Sequence, residues 1–183
     1  MMKKTNLLRY NNSWYQPGGA IKRVLWYFAN VIFFICPLNP SSGIKKIILK
    51  MFGAKIGGGV VIKPGVNIKY PWKLSIGENS WIGEKVWIDN LDEVSIGKNC
   101  CMSQGAILLC GNHNYKKETF DLMIGPIHIE DGVWIGAGAM LTPNTLCKTH
   151  AVLTVQSVGS GILEAYSIYR GNPAVKIKDR VME

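Results

Sequence analysis

The sequence predicts a mainly β chain: a parallel β-helix of about five coils, with an N-terminal helical cap and a short C-terminal extension. Three observations predict it. From Ile56 onward an aliphatic residue returns every six positions, glycine often follows that residue, and a small or branched residue often stands four places after it. The first series is Ile56, Ile62, Ile68 and Leu74. After a slip of two it resumes as Ile76, Ile82, Ile88 and Val94, and after a second slip as Ile96, Met102 and Leu108. Beyond an interruption it returns as Ile129, Ile135, Leu141, Cys147 and Leu153. Fourteen of these sixteen positions are Ile, Leu or Val, types that make up only about a quarter of the chain, so the row is not accidental. The following glycines are Gly57, Gly77, Gly83, Gly97 and Gly136. The small or branched positions are Val60, Val66, Ser80, Val86, Ala106, Val133, Ala139, Ala151 and Ser157.

A short strand and a tight corner use six residues, and three such sides close a triangular coil of about eighteen. The aliphatic residue points inward and stacks on its equivalents. The glycine after it is expected to let the backbone turn the corner without steric cost. The two slips lengthen two coils and should appear as small outward bulges at one corner. A single coil cannot bury its own apolar row, whereas stacked coils can. The chain then divides into a basic, apolar helical segment (1–55), the β-helix (56–164) with an excursion loop at 111–126, and a C-terminal extension (165–183).

Charge is one-sided. The net charge is +9, yet residues 1–77 hold twelve Lys or Arg and no acidic residue, the first being Glu78. Such a field attracts anions. No nucleic-acid module accompanies the basic residues, so an anionic substrate or membrane face is the expected partner and nucleic acid is not. The five cysteines form no CxxC pair and are odd in number, which argues against a disulfide framework and a zinc ribbon. A cytoplasmic location is expected, with peripheral contact at the inner membrane surface. Met1 to Asn12 lacks the apolar core of a signal peptide. The apolar run Val24 to Leu38 is shorter than the roughly 20 residues a bilayer span needs. It reads either as a packed helix covering the open end of the first coil or as an interfacial helix on a membrane.

Between Leu108 and Ile129 the six-residue spacing breaks, and a loop carrying Gly111-Asn112-His113-Asn114-Tyr115 leaves the prism. A loop that interrupts a strict repeat is a place to look for function. The other histidines, His128 and His150, read as ordinary surface residues. The two intervals between the three histidines, 15 and 22 residues, lack the paired histidines of a zinc site, and no metal is expected.

The sequence resembles the hexapeptide-repeat acyltransferases, whose coils wind as a left-handed parallel β-helix. The resemblance rests on the repeat, on Leu108 to Asn114, on Asp131-Gly132-Val133-Trp134-Ile135-Gly136 and on Gly171-Asn172-Pro173-Ala174. Within the family it is most similar to colanic-acid-type O-acetyltransferases of polysaccharide biosynthesis, through Phe52-Gly53-Ala54-Lys55-Ile56-Gly57, Tyr70-Pro71-Trp72-Lys73, Trp81-Ile82-Gly83, Ser103-Gln104, His113-x-Tyr115 and Phe120-Asp121. It implies acetyl-CoA as co-substrate, a sugar or lipid-linked glycan as acceptor, direct transfer and a homotrimer with sites between neighbouring prisms. It implies His113 as general base, since an unperturbed imidazole titrates near ~6.5 and is available as a base at cytoplasmic pH. Asp89 is implied as substrate ligand or orienting partner, with Asp121 and Glu118 as further candidates. For CoA it implies Trp134 near the acetyl group, a main-chain contact at Ala137, Thr154, Val155 and Ser160 along the pantetheine arm, and Lys178 near the phosphates. Val175 replaces a family arginine, and Thr154-Val155-Gln156 replaces the usual Gly-Ala-Gly. Acyl transfer to an amine or to a xenobiotic alcohol, and a non-enzymatic scaffold, remain alternative readings.

Overall fold

The computed structural model describes residues 4–183. Short parallel strands stack into three faces. The first face runs Lys55–Ile56, Leu74–Ile76, Val94–Ile96, Ile127–Ile129, Thr145–Cys147 and Ile162–Leu163. The second runs Val61–Ile62, Trp81–Ile82, Cys101–Met102, Trp134–Ile135, Val152–Leu153 and Ser167–Gly171. The third runs Asn67–Ile68, Trp87–Asp89, Ile107–Leu109, Met140–Leu141 and Val158–Gly159. The chain therefore makes five complete coils and two sides of a sixth. Register is in phase throughout: Ile62 lies beside Ile82, Ile82 beside Met102, and Met102 beside Ile135. All sixteen inward positions are buried, Met102 and Cys147 included. So are all nine small or branched positions, which face inward beside the corners.

The glycines after the aliphatic residues serve a different purpose from the corner dihedral expected of them. None of the five has a positive φ. A Cβ on Gly77 would lie 2.5 Å from the Gly97 carbonyl carbon, and one on Gly136 would lie 2.6 Å from the Val155 nitrogen. Glycine is required there because successive coils approach backbone to backbone. The left-handed turn falls two residues later instead, at Gly59, Asn79, Asn99 and Gly132 in one corner and at Gly65, Lys85, Gly105 and Gly138 in the next. Glycine or asparagine holds seven of these eight places, Lys85 being the exception, as the sterics of positive φ favour.

The first coil presents an unpaired edge, and two helices close it. The first, α1, spans Ala20–Ala29 and widens to π-helical hydrogen bonding over Asn30–Ile35. The second, α2, spans Ser42–Met51 and is N-capped by Ser41, whose hydroxyl accepts from the Ile44 amide. Their polar groups meet the edge directly. Trp26 Nε1 donates to the Ile68 carbonyl at 2.8 Å, the Ile62 amide donates to Ser42 Oγ at 2.9 Å, and Lys45 Nζ donates to the Ile62 carbonyl at 3.4 Å. The Gly65 amide donates to the Phe34 carbonyl at 2.9 Å. Phe34, Leu49 and Trp26 fill the end of the prism. At the other end, Ala174–Asp179 folds back antiparallel on Ser167–Gly171. Among the described residues no helix is long and apolar enough to cross a membrane.

The residues added by the slips all lie at the corner between the third and first faces. Asn90 braces two successive bulges, its amide donating to the Tyr70 carbonyl while its Oδ1 accepts from the Tyr70 amide at 2.9 Å. All five cysteines are free, and burial pushes the Cys110 and Cys147 thiols up to about 12.

Truncating the inward row should open a cavity that the stacked backbones cannot collapse. We expect Ile88→Ala to lower unfolding free energy by about 2–5 kcal/mol, read from the shift of the urea midpoint.

Candidate active site

The excursion leaves the third coil at this same thickened corner. It is an antiparallel arm rather than a loop without strands: Gly111–His113 pairs with Leu122–Ile124, His113 facing Leu122. Its tip is closed by short-range bonds, with the Lys117 amide donating to the Asn114 carbonyl and the Phe120 amide to the Lys117 carbonyl.

His113 is half-buried on the arm. Its Nδ1 lies 3.0 Å from the Phe120 carbonyl oxygen. A carbonyl only accepts, so Nδ1 of the neutral ring carries the proton and Nε2 is left with a free lone pair. The Phe120 ring stacks on the imidazole at 4.4 Å and 7°, and Tyr10 packs against it at 5.7 Å. Phe120 reaches this position through a left-handed backbone, φ 51°.

Tyr10 belongs to a strap that sequence reasoning did not find. Residues 6–15 run along the thickened corner to the arm. The Asn6 amide donates to the Glu118 carbonyl at 2.9 Å, and Arg9 pairs with Glu118 at 3.1 Å. Tyr15 donates to the Leu91 carbonyl at 2.7 Å, and the Lys73 ammonium lies over its ring. Burial, and then the neighbouring Tyr70 and Asp92, push the Tyr15 phenol up, and burial pulls the Lys73 ammonium down. The available signal was three aromatics, Tyr10, Trp14 and Tyr15, in a polar stretch without a core period.

The carboxylates offered as partners of His113 are engaged elsewhere. Asp89 is only 7% exposed and pairs with Lys69 at 2.9 Å, one coil below the arm. Asp121 pairs with Lys117 at 2.8 Å, and the hydrogen bonds from Lys117 and Thr119 hold its carboxyl below the usual carboxylate range. Glu118 holds the strap. A main-chain carbonyl, not a carboxylate, sits on Nδ1. His128 Nδ1 meets Ser95 Oγ on the first face, and His150 stacks on Tyr166 at a corner.

The residues considered for CoA cluster on another edge. Trp134, Ala137, Thr154 and Val155 lie along the corner between the second and third faces. Trp134 Nε1 donates to Ser103 Oγ at 2.9 Å, which leaves the indole standing outward, and Val155 is exposed. The Ala137 carbonyl accepts from the Gln156 amide, and Thr154 Oγ1 meets Ser157 Oγ. Lower on this corner an open groove of about 370 Å³ is lined by Lys63, Trp81, Glu84, Cys101, Ser103 and Gln104. Lys178 lies on the outermost strand of the second face, opposite Ile168. Ser160 stands apart, at the corner that carries the arm. Within one chain, His113 and the Trp134 ridge are thus on different edges of the prism.

The stacked coils and their interrupting arm define a class of protein: the chain belongs to the hexapeptide-repeat acetyltransferases, with the left-handed β-helix fold of that family. It is 34% identical over 167 residues to the "Putative colanic acid biosynthesis acetyltransferase WcaF" of Escherichia coli (strain K12), covering 91% of this chain and 92% of that protein. It also matches a "Putative acetyltransferase" of Dictyostelium discoideum, 29% identical over 143 residues, covering 74% of this chain and 72% of that one. Among solved structures, a hexapeptide-repeat acetyltransferase of Vibrio cholerae complexed with acetyl coenzyme A superposes with a TM-score of 0.81 at 16% identity, covering 91% and 93% of the two chains. A galactoside acetyltransferase in complex with coenzyme A gives 0.76 at 18% identity, covering 88% and 82%. No protein-family model matches the chain.

The Phe120 carbonyl dictates a tautomer. In ¹⁵N-edited spectra of the neutral imidazole we expect the His113 proton on Nδ1 and an unprotonated Nε2; the opposite assignment would remove the geometry described above.

Proposed function

We propose that the protein transfers the acetyl group of acetyl-CoA to a sugar hydroxyl in polysaccharide biosynthesis, with His113 as general base. The observation that carries this reading is the bond from His113 Nδ1 to the Phe120 carbonyl, which frees Nε2 to accept a proton. Acetyl-CoA supplies the activated acyl carbon. Nε2 takes the proton of the attacking hydroxyl as the oxygen adds to that carbon. Main-chain N–H groups suit the resulting oxyanion. The imidazolium then returns the proton to the departing sulfur, so the ring ends as it began and no acyl-enzyme forms.

Two surfaces support the assignment of substrates. The Trp134 ridge offers outward apolar side chains to a pantetheine arm, and Lys178 on the same face offers a charge to phosphates. Beside the arm a depression of about 350 Å³ is lined by Asn11, Ser13, Trp14, Asn114, Lys117 and Asp121, an aromatic plate among amide, hydroxyl and carboxylate groups of the kind that holds a sugar. Asp89 lies at the base of the arm. The link to polysaccharide biosynthesis comes from the named relative. Consumption of acetyl-CoA and five free thiols suit the cytoplasm.

The separation of His113 from the ridge favours assembly. A three-fold arrangement brings the arm of one prism against the ridge of its neighbour, which makes the homotrimer the catalytic unit.

We expect His113→Ala to reduce acetyl transfer by about 10²–10⁴-fold while calorimetry shows acetyl-CoA binding unchanged. Full activity in that variant would overturn the mechanism. Mass spectrometry of an acceptor panel distinguishes sugar hydroxyls from amines and xenobiotic alcohols. Light scattering is expected to give the mass of three chains, and an active monomer would contradict the shared site.

A further inference from the structure

The capping helices bury only one of their two faces. On α1 and its π-helical continuation, Trp26, Asn30 and Phe34 recur at four-residue spacing and turn inward onto the coil end. Ile21, Leu25, Phe28 and Ile32 recur at spacings of four, three and four on the opposite side, and each is more than half exposed. That is a continuous apolar stripe of three turns, and it faces away from the stack because the other stripe is seated on the stack. Leu38 at the end of the run and Ile47 on α2 are exposed apolar side chains of the same cap. A patch of this kind on a folded chain marks a surface made to be covered.

Charge indicates what covers it. Arg23, Lys46 and Lys50 form no ion pair among the described residues, and no acidic residue occurs in the chain before Glu78. Two identical copies meeting through this face would bring basic residues against basic residues, with no carboxylate of either helix to answer them. An anionic phospholipid surface answers both features: its acyl boundary takes the apolar stripe and its headgroups take the ammonium and guanidinium groups. The run is too short to span a bilayer, so it lies in the interfacial plane.

We propose that the outward face of the two capping helices docks the protein on an anionic lipid bilayer as a monotopic, in-plane contact. Capping and docking are then the two sides of one element. The inward aromatics hold the helix on the coil, and the outward aliphatics hold the coil on the membrane. The inference stands independently of the acetyl acceptor, because it uses no residue of the arm or the ridge.

The test is co-sedimentation of the full chain with vesicles of phosphatidylcholine alone and of phosphatidylcholine with phosphatidylglycerol. Binding to the anionic vesicles, weakened by high salt, is expected. Leu25→Glu with Phe28→Glu should reduce it by on the order of tenfold or more, since both side chains lose their transfer into the acyl boundary. Both positions are exposed, so an unchanged thermal melt is expected and confirms that the variant is folded. A second variant, Lys46→Glu with Lys50→Glu, should shift the salt dependence and leave the melt unchanged. Absence of binding to either vesicle, or binding indifferent to all four substitutions, overturns the proposal. So does a change of oligomeric state in the Leu25/Phe28 variant by light scattering, which would make this face a contact between copies instead.

Discussion

Everything in this molecule follows from the fact that no coil can bury its own inward row. One turn of short strands leaves its aliphatic side chains half covered and its backbone groups unpaired, and only the turn above and the turn below complete it. The close approach of backbones is what demands glycine at Gly77 and Gly136, where any side chain would collide with the next turn. Two of the three corners also spend a single left-handed residue at the same place in successive turns, from Gly59 and Gly65 onward. The two turns without a neighbour on one side need something else, and the chain supplies a pair of helices below and a returning strand above.

Irregularity is gathered at one corner. The bulge braced by Asn90, the arm that carries His113 and the strap that carries Tyr10 all occupy the edge between the third and first faces. The remaining corners keep the repeat. A reactive side chain on this scaffold therefore gains freedom of placement without loosening the stack beneath it. His113 is then fixed by local means: a carbonyl on Nδ1, one ring on its face and another at its edge.

The prism was legible in the sequence because its signal is repetitive, and each of the sixteen row positions reports the same constraint. The role of the glycines was not legible, since a residue required by dihedral freedom and one required by close approach look alike until neighbouring turns are placed. The carbonyl that orients His113 was invisible for a simpler reason: every residue has one, and only the left-handed turn at Phe120 aims this one. The contact between Lys69 and Asp89 could have been read, as the two lie twenty residues apart at equivalent places in successive turns. The strap could not, because its aromatics follow no period. The ridge around Trp134 was singled out through resemblance, and nothing in its spacing alone marks it.

The strand Ala174–Asp179, running opposite to every other strand of its face, has a consequence for assembly. An open solenoid of identical turns is a template for its own elongation, molecule upon molecule. A reversed final strand offers the wrong polarity to an incoming first turn, and that first turn is itself already occupied by helices. On the second face, end-to-end stacking of like strands therefore stops at this strand.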